Sequence, residues 1–323
     1  MQQETPLLFG EKRYRTWNYH LKSQFGEKIF KVPLDGGFDC PNRDGNVASG
    51  GCTFCSVRGS GDFAGDRKED LVTQFHTIKD KMHRKWKKGK YIGYFQAYTN
   101  TYAPVSELRE MFETILQQED VVGLAIATRP DCLPDDVVDY LAELNERTYL
   151  WVELGLQSAH DRTGELINRA HDFQCYLEGV NKLRRHNIRI CSHIINGLPQ
   201  ENHQMMLDTA KEVAKLDVQG IKIHLLHLLK RTPMVKQYEK GLVDLMNKDD
   251  YVTLVCDQLE VIPPSMIIHR LTGDGPADLM IGPMWSLNKW EVLNSIDAEM
   301  KRRGSWQGKY YSASLQNGEV HRT

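Results

Sequence analysis

The chain has 323 residues, 41 Lys and Arg against 43 Asp and Glu, 41% hydrophobic residues and seven cysteines. That length buries a sizeable core without covalent staples, and a net charge of −2 excludes a globally basic nucleic-acid coat and a disordered acidic tail. The longest clean apolar run, 121–127, is too short to span a bilayer, so no membrane partner is expected.

Strand-length apolar runs lie at 28–34, 91–98, 121–128, 149–154, 188–195 and 220–226. Between them are amphipathic stretches at 67–88, 105–118, 134–145, 159–185 (broken near His171) and 200–215. Val/Ile/Leu-rich strands alternating with helices of this length predict βαβ units and a parallel sheet. Six strands and five crossovers predict an α/β fold with a partial (β/α)6 TIM-type barrel over 28–260. Residues 1–27 are an N-terminal extension, and 261–323 a loop-rich α/β extension with one helix at 287–303. The region after Pro263 does not clearly supply the two further units of a complete barrel. The first fifteen residues are polar and lack a signal-peptide core. An odd cysteine count without an export signal argues for reduced thiols and a cytoplasmic location.

Cys132, Cys175, Cys191 and Cys256 are scattered, whereas Cys40, Cys52 and Cys55 share one glycine-rich segment directly after the first strand. In parallel α/β folds chemistry sits at the C-terminal ends of the strands, which is where that segment falls. The Cys52-Thr53-Phe54-Cys55 spacing lets two thiolates face one inorganic centre, and the turn-rich arm brings Cys40 back to it. Such thiolates bind zinc or an iron–sulfur cluster. Structural zinc wants a fourth ligand; no further cysteine is near, and His76 lies 21 residues on in a helical pattern. Three thiolates on a four-iron cluster leave one iron open for chemistry. Incidental cysteines and a zinc-bearing, non-enzymatic RNA-binding protein are the competing readings.

The Cys-x11-Cys-x2-Cys pattern, with an aromatic before the last cysteine, resembles the radical S-adenosylmethionine (SAM) enzymes over roughly 28–233. Its long first gap is similar to the YhcC/YtqA-like branch of that superfamily. The resemblance implies one [4Fe-4S] cluster on Cys40, Cys52 and Cys55, bound SAM, a 5′-deoxyadenosyl radical, and a low-potential donor of the flavodoxin or ferredoxin type. It also implies cofactor contacts at Phe54, Gln96, Tyr98, Glu153, Gln157, Arg169 and Gly197, one or two at each strand end. Gln96-Ala97-Tyr98-Thr99-Asn100-Thr101 stands where relatives have a Gly-Gly-Glu-like turn for the methionyl amine. Gln157 and Arg169 match a Gln and an Arg twelve residues apart in porphyrin-type relatives. Asn196-Gly197-Leu198-Pro199-Gln200-Glu201 is similar to the adenine segment, with His193 where some relatives carry Asp.

Three residues are readable without the resemblance. Glu153, a carboxylate in an apolar strand, needs a partner or a role. Arg129 presents a donor fork either to a cofactor carboxylate or to Glu153. His224 and His227, three apart on one strand, should place at most one ring inward. The segments 79–90 and 301–309 combine cations with aromatics, which suits tRNA, although helix-end cations also suit the dipole. The resemblance implies a wobble-uridine substrate, 5-carboxymethylaminomethyl-(2-thio)uridine converted to its 5-aminomethyl form, with Arg129, Lys230 or Arg231 holding the carboxylate. A small molecule such as a porphyrin-type substrate is the alternative within the same superfamily. No residue is singled out as a catalytic acid or base.

Overall fold

The computed structural model describes residues 5–311, so the last twelve residues of the C-terminal extension lie outside the described residues. Its six expected strands form as β1 (Ile29–Leu34), β2 (Lys90–Phe95), β3 (Val121–Thr128), β4 (Tyr149–Gln157), β5 (Arg189–Asn196) and β6 (Gly220–Leu225). Each pairs in parallel with the next. After the two-residue β7 (Leu228–Leu229), a further strand β8 (Ile267–Arg270) adds to β6, again parallel, making seven strands in one curled sheet. Four residues between Pro264 and Leu271 carry too little pattern to read as a strand; pairing with β6 creates it. A short ribbon joins β7 to β9 (Met280–Gly282).

Alternation along the strands separates two cores. Val32, Leu34, Leu150, Val152, Leu154, Ile221 and Ile223 point outward into the main apolar core with the helices. That layer comprises α2 (Leu71–His83), α3 (Val105–Leu116), α4 (Asp135–Arg147), α6 (Phe173–Arg185), α7 (His203–Lys215) and α9 (Lys248–Val261). Helices α2, α6 and α7 start where a side chain, of Asp70, Asp172 and Asn202 respectively, accepts a first-turn N–H, whereas α3 and α4 follow Pro104 and Pro134. The break near His171 is the gap between α5 (Asp161–Leu166) and the Asp172 cap.

The inward faces carry a second cluster, Ile29, Ile92, Tyr149, Trp151, Cys191 and Ile267, at the N-terminal end of the barrel. The helix α1 (Trp17–Phe25) closes that end, with Leu21 only 2% exposed in the same cluster. Trp17 spans the two sheet edges, its ring 4.0 Å from His269 on β8 and 4.6 Å from Lys31 Nζ on β1. Thus the barrel is open between β1 and β8, plugged below by α1 and open above, on the cysteine side. Among the described residues no helix is long and apolar enough to cross a membrane.

Candidate functional site

The cysteine segment leaves β1 and folds over the C-terminal mouth of the barrel. Thr53 ties it down on two sides, its N–H donating to Ile167 O (2.9 Å) and its carbonyl accepting from Met234 N (2.9 Å) at the start of α8 (Met234–Glu239). The fully buried Asn42 donates to Asn168 O (2.6 Å) and lies 3.6 Å from Cys52 Sγ, while Ser60 Oγ is 3.7 Å from Cys55 Sγ. Phe54 packs against the apolar cluster of Ile167, Leu198 and Leu226. Tyr98 Oη donates to Val57 O (2.5 Å) and Gln96 Nε2 to Ser60 O (2.8 Å), so both side chains reach the loop that follows Cys55. A Cβ at Gly59 (φ +56°) would sit 2.5 Å from the Tyr98 ring, so glycine permits that contact.

Cys40, Cys52 and Cys55 are free, half-buried thiols lining one large cavity with Phe54, Gln157 and Arg169. Burial pushes the Cys52 thiol up to about 12, with Cys55 adding to it and Arg129 opposing. A metal centre that takes thiolates must displace those protons. Among the described residues, the trio whose donor atoms all lie within 4.8 Å of one another is Glu153, Cys191 and His269, not the three cysteines. One zinc ion would draw its sulfurs to about 3.8 Å of each other, whereas a multi-iron cluster gives each thiolate its own iron. His76 is exposed on α2 and supplies no fourth ligand. The donor set therefore fits an iron–sulfur cluster with three protein ligands. The Glu153 trio is a poor cation site because two ammonium groups already occupy that carboxylate.

Arg169 is 1% exposed, and its guanidinium donates to Leu156 O, Ser158 O and His171 O, in a space that Gly164 leaves open. Gln157, at φ +62°, folds its amide over Gly155 at the cavity wall. Gly197 (φ +85°) lies behind the wall, its N–H 3.1 Å from Met206 Sδ. Arg129 does not meet Glu153. It pairs with Asp131 (2.7 Å) and donates to Arg169 O (2.8 Å), because Glu153 sits deeper in the barrel. His224 and His227 both line the cavity, contrary to the strand-face expectation, since β6 ends at Leu225 and alternation stops there. Lys230 donates to Asp278 O, and neither it nor Arg231 borders the cavity.

Glu153 itself is fully buried, bonded to Lys31 Nζ (2.6 Å), His193 Nε2 (2.9 Å) and Lys222 Nζ. Burial alone would raise its carboxyl, but Lys222 and Lys31 hold it well below the usual carboxylate range. Burial pushes Lys222 down to about 8 against the pull of Glu153, and burial with Lys222 pushes His193 down to about 4. Lys31 and Lys222 were not anticipated, although each is a charge inside an apolar strand, the same signal that marked Glu153.

The cavity of about 1140 Å³ runs from the cysteines down to this charged layer and out past the β1 edge, where Lys28 and Trp86 line it. It exceeds the usual room of one small ligand and accommodates a cofactor together with part of a substrate. Residues 43–213 match the radical SAM superfamily, and 218–302 match the Radical_SAM C-terminal domain. The chain belongs to the radical SAM superfamily. Protein YtqA of Bacillus subtilis (strain 168) is 72% identical over 96% of this chain and 97% of its own length, within the YhcC/YtqA-like branch. A tRNA uridine(34) acetyltransferase of Methanocaldococcus infernus is 20% identical over 53% of this chain and 32% of its own length. The solved structure of Methanocaldococcus infernus Elp3, with an N-terminal deletion, shares the fold (TM-score 0.65, 14% identity, 87% of this chain and 64% of that one). As a radical SAM protein the chain is an enzyme, which removes the zinc-protein reading, and membership implies a [4Fe-4S] cluster and SAM.

Proposed function

We propose that this radical SAM enzyme modifies the wobble uridine of tRNA, taking 5-carboxymethylaminomethyl-(2-thio)uridine to 5-aminomethyl-(2-thio)uridine. In this reading Cys40, Cys52 and Cys55 hold the cluster, and Phe54 and Gln157 line the space for SAM, while Gly197, behind the wall, shapes it without touching the cavity. Gln96, Tyr98 and Arg169 act through the loops they brace. When bound and reduced by a flavodoxin- or ferredoxin-type donor, these groups supply a 5′-deoxyadenosyl radical, the hydrogen-abstracting species this reaction needs. The chain's own residues plug the barrel floor with α1 and present a cationic layer beneath the mouth.

The observation that carries the tRNA reading is the cationic rim at the open β1 edge. Lys28 and Trp86 line the cavity there, Trp86 is 48% exposed, and Lys85, Lys87 and Lys88 beside it form no ion pair among the described residues. The cations of 301–309 are more committed: Arg302 bonds Glu299, and Arg303 bonds Glu299 and Asp257. The relation of half the chain to a tRNA uridine(34) acetyltransferase adds support. The test is anaerobic incubation of reconstituted enzyme with SAM, reductant and tRNA from a deletion strain, followed by nucleoside mass spectrometry. Gain of the 5-aminomethyl nucleoside is expected, and an unchanged carboxymethylaminomethyl pool sinks the reading. Charge reversal at Lys85, Lys87 and Lys88 should weaken tRNA binding by at least about tenfold and flatten its salt dependence.

A further inference from the structure

The charged layer of the barrel holds more cation than its fold requires. Glu153 and Lys222, 0% and 5% exposed, already form a complete buried pair. Lys31, at 16% exposure, brings a second ammonium to the same carboxylate. Arg270, Asp274 and Lys289 form a separate, partly exposed network at the rim, with Asp274 3.6 Å from Arg270 and 2.8 Å from Lys289, and lie outside the buried layer. His193, His224 and His269 are driven toward their neutral forms, by burial first and then by neighbouring cations, so they balance nothing. One positive charge is left deep in the barrel above an apolar floor, and a buried surplus charge is costly unless something answers it.

Donors are in surplus too. Each ammonium has three N–H groups. Lys31 spends one on Glu153, and Lys222 spends two, on Glu153 and on Tyr94 Oη (3.0 Å). The Tyr94 ring lies beneath both, 5.0 Å from Lys31 Nζ and 4.5 Å from Lys222 Nζ, and keeps them facing inward. Beside them His224 Nε2 and both ring nitrogens of His269 are buried without a hydrogen-bond partner, on residues that line the same cavity. Buried polar atoms are normally satisfied, so three such nitrogens around two under-used ammonium groups mark the place of a missing polar ligand.

We propose that Lys31 and Lys222, set side by side by Glu153, form a recognition site for a single carboxylate carried into the barrel on the substrate. A monoanion matches the single surplus charge, where a phosphate would overfill it. Two adjacent ammonium groups offer one donor to each carboxylate oxygen. His224, two residues nearer the mouth on β6, supplies a neutral partner to the polar atoms that lead up to it, and His269 lies on the floor side against Trp17 and Trp151. Glu153 lies four residues, about 13 Å, down β4 from Gln157 at the cysteine face. The site thus receives the end of a substituent reaching in from the mouth. That the substituent is an aminomethyl-linked carboxylate on uridine rests on the reading of the previous subsection; the carboxylate site does not.

The test is isothermal titration of the anaerobically reconstituted, unreduced holoprotein, with SAM present throughout. Two pairs of probes are used: 5-carboxymethylaminomethyluridine and its carboxamide, and N-benzylglycine and its carboxamide. The acid of the nucleoside pair should bind about tenfold more tightly than the amide, the worth of a charge-assisted hydrogen bond. Lys31→Met leaves the Glu153–Lys222 pair intact, and its folding is checked by iron content and thermal melting. It should cut the preference to about twofold or less without weakening the amide, and Lys222→Met should do the same where it folds. Equal binding of acid and amide in both pairs overturns the site, as does a preference that persists undiminished in Lys31→Met. A preference confined to the benzylglycine pair supports the carboxylate site and counts against wobble uridine.

Discussion

At the scale of single residues, Glu153 shows how charge buried in a strand acquires meaning from its neighbours. Truncating it to alanine leaves two ammonium groups facing each other in the barrel. Loss of one partner of a buried ion pair costs about 3–5 kcal/mol, so Glu153→Ala should lower the urea unfolding free energy by that much. The paired change Glu153→Met with Lys222→Met should recover most of it, because the removed charges were each other's compensation. A Glu153→Ala variant within about 0.5 kcal/mol of wild type in urea would show that the lysines reach water instead. The carboxylate was legible from its apolar setting; Lys222 in Gly-Ile-Lys-Ile-His-Leu carries the same signal but was not anticipated. What their sequence positions could not reveal is that Lys31, Glu153, His193 and Lys222, on β1, β4, β5 and β6, meet inside the barrel. Register pairs His193 with Lys222, two residues beyond Glu153, which pairs with Cys191, and the long side chains close the remaining gap.

At the scale of elements, α1 is what makes the barrel a vessel. It lies in the N-terminal extension, where the sequence predicts no element, yet it packs Trp17, Leu21 and Phe25 into the apolar floor beneath the charged layer. Removing a fully buried leucine side chain costs about 2–5 kcal/mol, so Leu21→Ala should lower stability by that amount. It should also speed amide exchange in β1 and β8, the edges that α1 bridges, before it affects β4 in the middle of the sheet. Uniform acceleration across all strands would mean that α1 is only one more contributor to a single cooperative core. The strands themselves were readable because continuous apolar runs of six to nine residues leave few alternatives. β8 was not, since four residues have no period to detect and owe their conformation to hydrogen bonds with β6.

At the scale of the whole molecule, several buried histidines make the fold sensitive to acid. His20, His193 and His227 are each pushed from the ordinary 6.5 to about 4, by burial first, with Arg15, Lys222 and Arg270 respectively among the nearby cations. On acidification the unfolded chain takes up these protons near 6.5 while the folded chain resists until about 4. Stability therefore rises with pH across that window and is lost as pH falls through it. Glu153, held below its ordinary range, adds a loss in the same direction at still lower pH. Urea midpoints should drop between about pH 7 and pH 5, and a flat profile would contradict the neutral, buried state of these rings. The class of fold, the face that carries the cysteines and the three cysteines proposed as ligands are all readable from local information: apolar period, turn residues and the two-residue spacing of Cys52 and Cys55. The seventh strand depends on β6, 47 positions before it (Gly220 to Ile267), and the plug and the cationic layer on residues more than a hundred positions apart, as Lys31 is from Glu153 and Tyr94 from Lys222. A linear pattern carries no record of such distances, whereas strand order and register set them to within a hydrogen bond.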